Sequence, residues 1–272
     1  LHGTGDHYTR AFSIKEIKAS RALQWLLGAS LAVFAITFST WSTRLDLSIE
    51  FFAQGLHRCW SYFPTCGEFF FLHAPPTGYT QLLFYTALLG IVIFGFFALA
   101  RRRFGLAHAC LLLVFLWKFL AMYVLARSLV TNSDIYHLLL TLPLLFVSHK
   151  LFFSRFLVVF LYFISALLKF SEGWVLGTVF TSLTPALPLV PDSTVPIATN
   201  ALILFQIIEP WFLLSSRTWL RRTALATLIV FHLYSVTLIG YQFPIIALLP
   251  LIILFGFFPE EVPRPTGRNT AR

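Results

Sequence analysis

The chain has 272 residues, of which 58% are hydrophobic and only 11% are charged. A soluble globular domain would carry about 25% charged residues, so this composition excludes one and indicates an integral membrane protein. The net charge of +9 is also characteristic of nucleic-acid binding. Here, however, the basic residues lie in short segments between apolar runs, which favours membrane lipids as partners and not nucleic acid.

The first 21 residues form a polar, basic N-terminal segment. Phe12, Ile14 and Ile17 alternate with basic residues in this segment, which predicts a short helix lying on the inner membrane surface. No cleavable signal peptide is expected, because the first apolar run, which follows this segment, is long enough to stay in the membrane.

Eight apolar runs predict a polytopic, all-helical membrane bundle. About 20 residues with a rise of roughly 1.5 Å each cross the hydrocarbon layer, and these runs lack the alternation of barrel strands. The predicted spans are 22–41, 79–100, 105–126, 135–148, 156–178, 199–216, 223–240 and 244–258. Residues 22–258 are therefore predicted to form one transmembrane bundle, and the proline-containing residues 259–272 a flexible tail.

The distribution of basic residues predicts the orientation of the spans. Fifteen of the 20 Lys and Arg residues fall in segments that are cytoplasmic if the N-terminus is cytoplasmic, whereas the outer loops keep Arg44 and Arg58. This asymmetry follows the positive-inside rule and places both termini in the cytoplasm. We expect a multi-pass protein of the bacterial inner membrane.

The cysteines of the first outer loop are predicted to form a disulfide. Cys59 and Cys66 lie on the side expected to be oxidising, and Cys110 inside a span is expected to be a packing residue. A redox pair or a metal site is the alternative for Cys59 and Cys66. No metal site is predicted elsewhere, because the eight histidines lack paired ligand spacing.

Lys169 is a charged residue in an otherwise apolar run, the predicted span 156–178. A charge inside the bilayer is costly and usually marks a functional site. Glu172, three residues further on, would lie on the same helix face and offers a local ion pair. The alternative is a desolvated lysine whose neutral amine acts as a base.

Glu209 and His232 are two further ionisable residues near the middle of predicted spans. Each alone has a structural interpretation. Glu209 could cap the backbone carbonyls that the neighbouring proline frees, and His232 could be a hydrogen-bonded packing residue. Together with Lys169 they are predicted to face one cavity. Lys118, beside Trp117, is expected to be structural, stabilised by cation–π contacts.

The stretch Tyr162–Gly177 contains the pattern Lys-x-x-x-x-Trp-x-x-Gly. In this pattern, and in the later Glu209-Pro210, Phe231-His232 and Ile239-Gly240, the chain resembles the vitamin K-dependent gamma-carboxylase and its bacterial relatives with a horizontally transferred transmembrane domain. The order and spacing agree over roughly residues 130–258. The resemblance implies the membrane fold of that family.

The resemblance also implies a chemistry for Lys169. In the carboxylase the matching lysine deprotonates vitamin K hydroquinone, so Lys169 would be the base for a quinol here, followed by lyase and oxygenase chemistry. Glu172 would be its polar neighbour and Trp174 would line the outer mouth of the site. His149 could match a histidine of the family, but 20 residues of continuous helix would place it about 30 Å from Lys169.

Two classes of function remain open at this point. One is an enzyme that binds a quinone, a quinol or another lipophilic substrate, with the gamma-carboxylase membrane part but no counterpart of its soluble recognition region. The other is a non-catalytic accessory subunit, whose buried charges pair with the helices of other membrane subunits. A transporter is less well supported, because no inverted repeat is evident.

Overall fold

The computed structural model describes residues 14–37, 54, 59–62, 64–65, 78–124, 131–180 and 187–259. Apart from one isolated bridge between Leu187 and Val190, every regular element in these ranges is helical, which confirms the predicted all-helical fold class. The chain divides into two compact units, unit 1 (Leu1–Lys150) and unit 2 (Leu151–Arg272). The single bundle predicted for residues 22–258 stays a prediction.

Unit 1 is built from five helices in its described part. They are α1 (Lys15–Ala19), α2 (Arg21–Ile36), α3 (Gly78–Ala100), α4 (Phe104–Val124) and α5 (Asn132–Phe146). The predicted surface helix corresponds to α1, which buries Ile17 and exposes Lys15 and Lys18. Ser20 begins α2 by accepting a hydrogen bond from the backbone N–H of Leu23 through its hydroxyl.

A glycine allows the helices of unit 1 to pack closely. A Cβ placed on Gly95 of α3 would lie 3.0 Å from Leu31 Cδ1 and 3.1 Å from Cys110 Cβ, so α2 and α4 both contact the α3 backbone at this residue. Cys110 is a buried free thiol at this contact, as expected for a packing residue. Cys59 is disulfide-bonded. Cys66 lies outside the described residues, so the Cys59–Cys66 pairing stays a prediction.

The carboxylate of Glu16 binds two backbone N–H groups at the end of unit 1. These are His149 N–H at 3.0 Å and Lys150 N–H at 2.7 Å, and Lys150 is the first residue of the next helix. The first N–H groups of a helix have no partner within the helix, and an anion there also interacts favourably with the helix dipole. His149 has a φ of +57°, so its backbone conformation is held by contacts such as this one.

Glu16→Ala is expected to lower the free energy of unfolding by about 1–2 kcal/mol, because both N–H groups lose their acceptor. Thermal unfolding of the purified protein, followed by circular dichroism, measures this loss. Lys18→Ala, an exposed change on the same helix, is the control and should leave the unfolding temperature unchanged. Equal stability of the two variants would show that the contact contributes nothing.

Unit 2 contains five further α-helices in its described part. They are α6 (Lys150–Leu167), α7 (Glu172–Val175), α8 (Val195–Ile208), α9 (Thr218–Ile239) and α10 (Gln242–Leu251). Pro210 lacks an N–H, and after Ile208 the helix tightens into a 3-10 segment, Glu209–Leu214. A π-helix, Ile252–Phe257, follows α10.

Arg155 of α6 satisfies backbone carbonyls around this π-helix. Its Nε and Nη2 donate to Leu254 O at 3.2 and 3.0 Å, and Nη2 also donates to Phe258 O. A buried guanidinium is stable only when its N–H groups are used in this way.

Three helical stretches in the described residues are long and apolar enough to cross a membrane: Lys150–Leu167, Asp192–Leu214 and Thr218–Ile239. Shorter apolar helices occupy Arg21–Ile36, Thr86–Ala100, Phe104–Leu120 and Gln242–Phe257. The chain therefore has helices compatible with a membrane protein. The number of eight spans and the location of the termini stay predictions.

The predicted span 156–178 is wrong as a single helix. Helix α6 ends at Leu167, and α7 begins only at Glu172. The last turn tightens, with Lys169 N–H bonded to Ala166 O and Phe170 N–H to Leu167 O. Ser171 then adopts an extended conformation before α7, in keeping with the preference of serine for helix ends.

Candidate functional site

The side chain of Lys169 folds back over the last turn of α6. Its Nζ donates to Ser165 O at 3.0 Å and to Ser165 Oγ at 2.8 Å. It also lies 5.2 Å from the centroid of the Trp174 ring. An ammonium group near the C-terminus of a helix is stabilised by the carbonyls there, and an aromatic face adds cation–π attraction.

Glu172 does not pair with Lys169. The two residues belong to different segments, since Glu172 begins α7, and its side chain is exposed. Within the described residues no ion pair links them, so the local pair considered from the sequence is not formed. Lys169 lies beyond the candidate membrane span that ends at Leu167, and burial lowers the pKa of its amine to about 8.

Trp174 lies in α7 and is held in place by residues that follow this helix. Its ring makes an edge-to-face contact with Phe180, with centroids 5.1 Å apart, and packs on a cluster formed with Leu187 and Val195. Asn200 of α8 donates to Val175 O at 2.8 Å, which ties the backbone after Trp174 to that helix. The ring over Lys169 is therefore fixed by unit 2 itself.

Gly177→Ala is expected to destabilise unit 2 by about 1–3 kcal/mol and to increase modification of Lys169 by an aqueous amine reagent. Gly177 has a φ of +73°, and a Cβ there would lie 2.8 Å from Val195 Cγ1 and 3.2 Å from Pro196 N. The clash would shift the segment that carries Trp174.

Gly240→Ala is the matched control for this change. Gly240 also has a positive φ, +72°, but a Cβ there would meet nothing within 4 Å. Gly240→Ala should lower the stability through backbone strain but should not increase modification of Lys169 by the amine reagent. Similar labelling of Lys169 in both variants would contradict a role for the Gly177 segment in covering it.

A second polar pair lies on the same face of α6. The hydroxyl of Tyr162 is hydrogen-bonded to Nε2 of His232 on α9, and both side chains are buried. Tyr162 and Ser165 are three residues apart, about 4.5 Å along the helix, and Ser165 is the residue that binds the Lys169 amine. We call Tyr162, Ser165, Lys169 and His232 the polar stripe.

The polar stripe includes a residue that the sequence analysis missed. Tyr162 was not predicted as a site residue, although Tyr162, Ser165 and Lys169 follow the i, i+3, i+7 spacing of one helix face. His232 was predicted to lie near Lys169, and Tyr162 is the side chain that connects His232 to the helix carrying Ser165.

Glu209 lies apart from this stripe. Its Oε1 accepts a hydrogen bond from Thr227 Oγ1 at 3.0 Å, at the start of the 3-10 segment. Thr227 precedes His232 by five residues, more than a helical turn. Within the described residues Glu209 has no hydrogen bond to Lys169 or His232.

His149 is not brought to Lys169 along α6. His149 precedes the first residue of this helix and Lys169 follows its last residue, so 18 helical residues, about 27 Å, separate them. The match of His149 to a histidine of the family stays a prediction.

Unit 1 contains a separate cluster of buried ionisable residues. Lys118 Nζ lies 3.1 Å from Asp134 Oδ1, with side-chain exposures of 2% and 10%, and 3.2 Å from His137 Nδ1. The ring of Phe34 lies 5.7 Å from the same Nζ. The cation–π contact expected for Lys118 is made with Phe34, and its contacts with Asp134 and His137 were not predicted from the sequence.

Comparison of the chain with protein-family models, with curated proteins and with solved structures finds no match. The resemblance to the gamma-carboxylase membrane part therefore stays a proposal. Among the described residues, no group of three His, Cys, Asp or Glu side chains is placed to hold a metal ion. The chemistry available at the polar stripe is that of an amine, two hydroxyls and an imidazole.

Proposed function

We propose that this chain is a membrane enzyme in which Lys169 removes a proton from an acidic hydroxyl of a lipophilic substrate, a quinol being the substrate class. The observation that carries the proposal is the environment of Lys169. Its amine is partly buried and bonded to Ser165, and no carboxylate among the described residues pairs with it. A structural buried lysine would be expected to have an anionic partner, as Lys118 has in unit 1.

The proton transfer needs the neutral amine. With a pKa of about 8, about a tenth of the Lys169 side chains are neutral at pH 7, far more than for an ordinary lysine. The substrate hydroxyl gives its proton to Nζ, which leaves a quinolate and an ammonium. Ser165 continues to accept from that ammonium, and the Trp174 ring stabilises its charge.

The wider setting of the proposal comes from the sequence. Eight spans with both termini cytoplasmic, a location in the bacterial inner membrane and a gamma-carboxylase-like fold are proposed from the basic residues and the motif at Lys169. Oxygenation of the quinolate is the reaction that the resemblance adds. The proposed partners are membrane lipids and other membrane subunits.

Labelling of lysine as a function of pH tests the proposed base. Acylation of Lys169 should rise with pH through about 8, because only the neutral amine reacts, and a bound quinol analogue should protect it. Mass spectrometry quantifies the modification, with the exposed Lys18 as the internal reference. Labelling that starts only near the pH of an ordinary lysine, or that ignores the analogue, would contradict the proposal.

The accessory-subunit function is the other possible outcome. In that case partner subunits would copurify with the protein, and Lys169→Met would disrupt their association while quinol has no effect on labelling. That result would reject the enzymatic proposal and retain the membrane location.

A further inference from the structure

Three buried polar atoms of unit 2 have no hydrogen-bond partner among the described residues: Ser154 Oγ, Gln206 Oε1 and His232 Nδ1. The last two are on residues that are 2% and 0% exposed. A buried polar atom without a partner costs about 1–3 kcal/mol. Such atoms are uncommon in folded proteins and often mark a site where another group binds.

The hydrogen bond to Tyr162 determines which nitrogen of His232 carries the proton. Among the described residues, the Tyr162 hydroxyl contacts Nε2 of His232 and no other acceptor. We assign the hydroxyl as the donor and Nε2 as the acceptor, because the reverse would leave the buried hydroxyl hydrogen without an acceptor. A neutral imidazole has one N–H, which must then be on Nδ1. His232 therefore offers a buried N–H donor on α9.

Gln206 and His232 lie on two helices that are in contact through a pair of aromatic rings. The rings of Phe205 on α8 and Phe231 on α9 are 5.9 Å apart. Gln206 and His232 are the next residues along each helix, and both are buried. The imidazole of His232 also lies near the ring of Phe243, with centroids 6.1 Å apart. A donor on α9 and an acceptor on α8 are thus buried next to the same ring contact.

We infer that Gln206 and His232 form a hydroxyl-binding subsite for an uncharged, lipophilic alcohol or phenol. A hydroxyl group can donate to Gln206 Oε1 and accept from His232 Nδ1–H, which satisfies both atoms. An ether or a ketone can only accept, and an anion would lack a cationic partner at these two side chains. The subsite does not depend on Lys169 being a base.

Three small probes separate these requirements. Phenol donates and accepts, anisole only accepts, and toluene does neither. The purified protein, labelled with ¹⁵N-histidine and reconstituted in phosphatidylcholine nanodiscs, is titrated with each probe while the ¹⁵N signals of His232 are followed. We expect an Nδ1–H tautomer, a response to phenol at about tenfold lower concentration than to anisole, and none to toluene.

Variants of α8 then assign the acceptor. Gln206→Leu should reduce the affinity for phenol to that for anisole, and Gln206→Met provides the same test if the leucine variant does not fold. Thr199→Val is the matched control, because the buried Thr199 hydroxyl already bonds carbonyls of its own helix. It should keep the preference for phenol.

Several results would overturn the subsite. An Nε2–H tautomer in the wild-type protein would remove the donor, and equal responses to phenol and toluene would show apolar binding alone. A preference for phenol that survives Gln206→Leu would exclude Gln206. No response to phenol would mean that water alone satisfies these atoms, which also rejects the inference.

Discussion

Asp134→Ala is expected to destabilise the protein by about 3–5 kcal/mol, the largest loss of stability that we predict. The substitution leaves the Lys118 ammonium buried, at 2% exposure, without its carboxylate. An unpaired buried charge is far costlier than a lost surface ion pair. Asp134 also accepts from the N–H and hydroxyl of Thr131 at the start of α5, and the substitution removes that cap as well.

A second substitution separates the charge from the cap. Lys118→Met combined with Asp134→Ala removes both charges and should recover most of the loss, leaving about 1 kcal/mol for the missing cap. Thr141→Val is the control, because the Thr141 hydroxyl bonds the carbonyl of His137 in its own helix. Denaturant unfolding in mild detergent measures all three variants. A double variant no more stable than Asp134→Ala would contradict the argument.

Lys169→Met is expected to reduce quinol turnover by about 100-fold or more, which is the usual contribution of a positioned base. Methionine retains most of the apolar volume of the lysine side chain and should leave unit 2 folded. Lys169→Arg should be equally inactive, because a guanidinium keeps the charge and does not give up its proton near neutral pH. Oxygen consumption with a reduced quinone in nanodiscs is the measurement.

Ser165→Ala distinguishes a base from a residue needed only for folding. Ser165 Oγ accepts from the Lys169 ammonium and so stabilises its charged form. Without this bond the pKa of Lys169 should fall further, and the rise of turnover with pH should move to lower pH. Two results would contradict a role of Lys169 as the base. One is turnover by Lys169→Arg close to that of the wild type, and the other is a pH dependence of turnover that Ser165→Ala does not change.

The sequence was sufficient to predict the helical class and to single out Lys169 as a cation in an apolar run. Long apolar runs define helices without further information, and Lys169 stands out within one of them. The break between Leu167 and Glu172 was missed because the apolar pattern continues through Phe170 and Trp174. Local turn geometry decided where the helix ends, and hydropathy does not report it.

Contacts between helices were the hardest to predict. Lys118 and Asp134 are 16 residues apart on different helices, and a single sequence does not show which faces meet. Glu209 was expected to share a site with Lys169, yet it binds Thr227, whereas His232 binds Tyr162 of the polar stripe. Tyr162 was within reach of helix periodicity, because it shares a face with Ser165 and Lys169.

The carbonyl contacts of Arg155 have a consequence for the order in which unit 2 folds. In the folded protein its guanidinium donates to Leu254 O and Phe258 O, and Arg155 is only 6% exposed. Because these acceptors lie about 100 residues further along the chain, the ribosome makes them after α6. The buried environment of Arg155 can therefore form only once the C-terminal helix has been made.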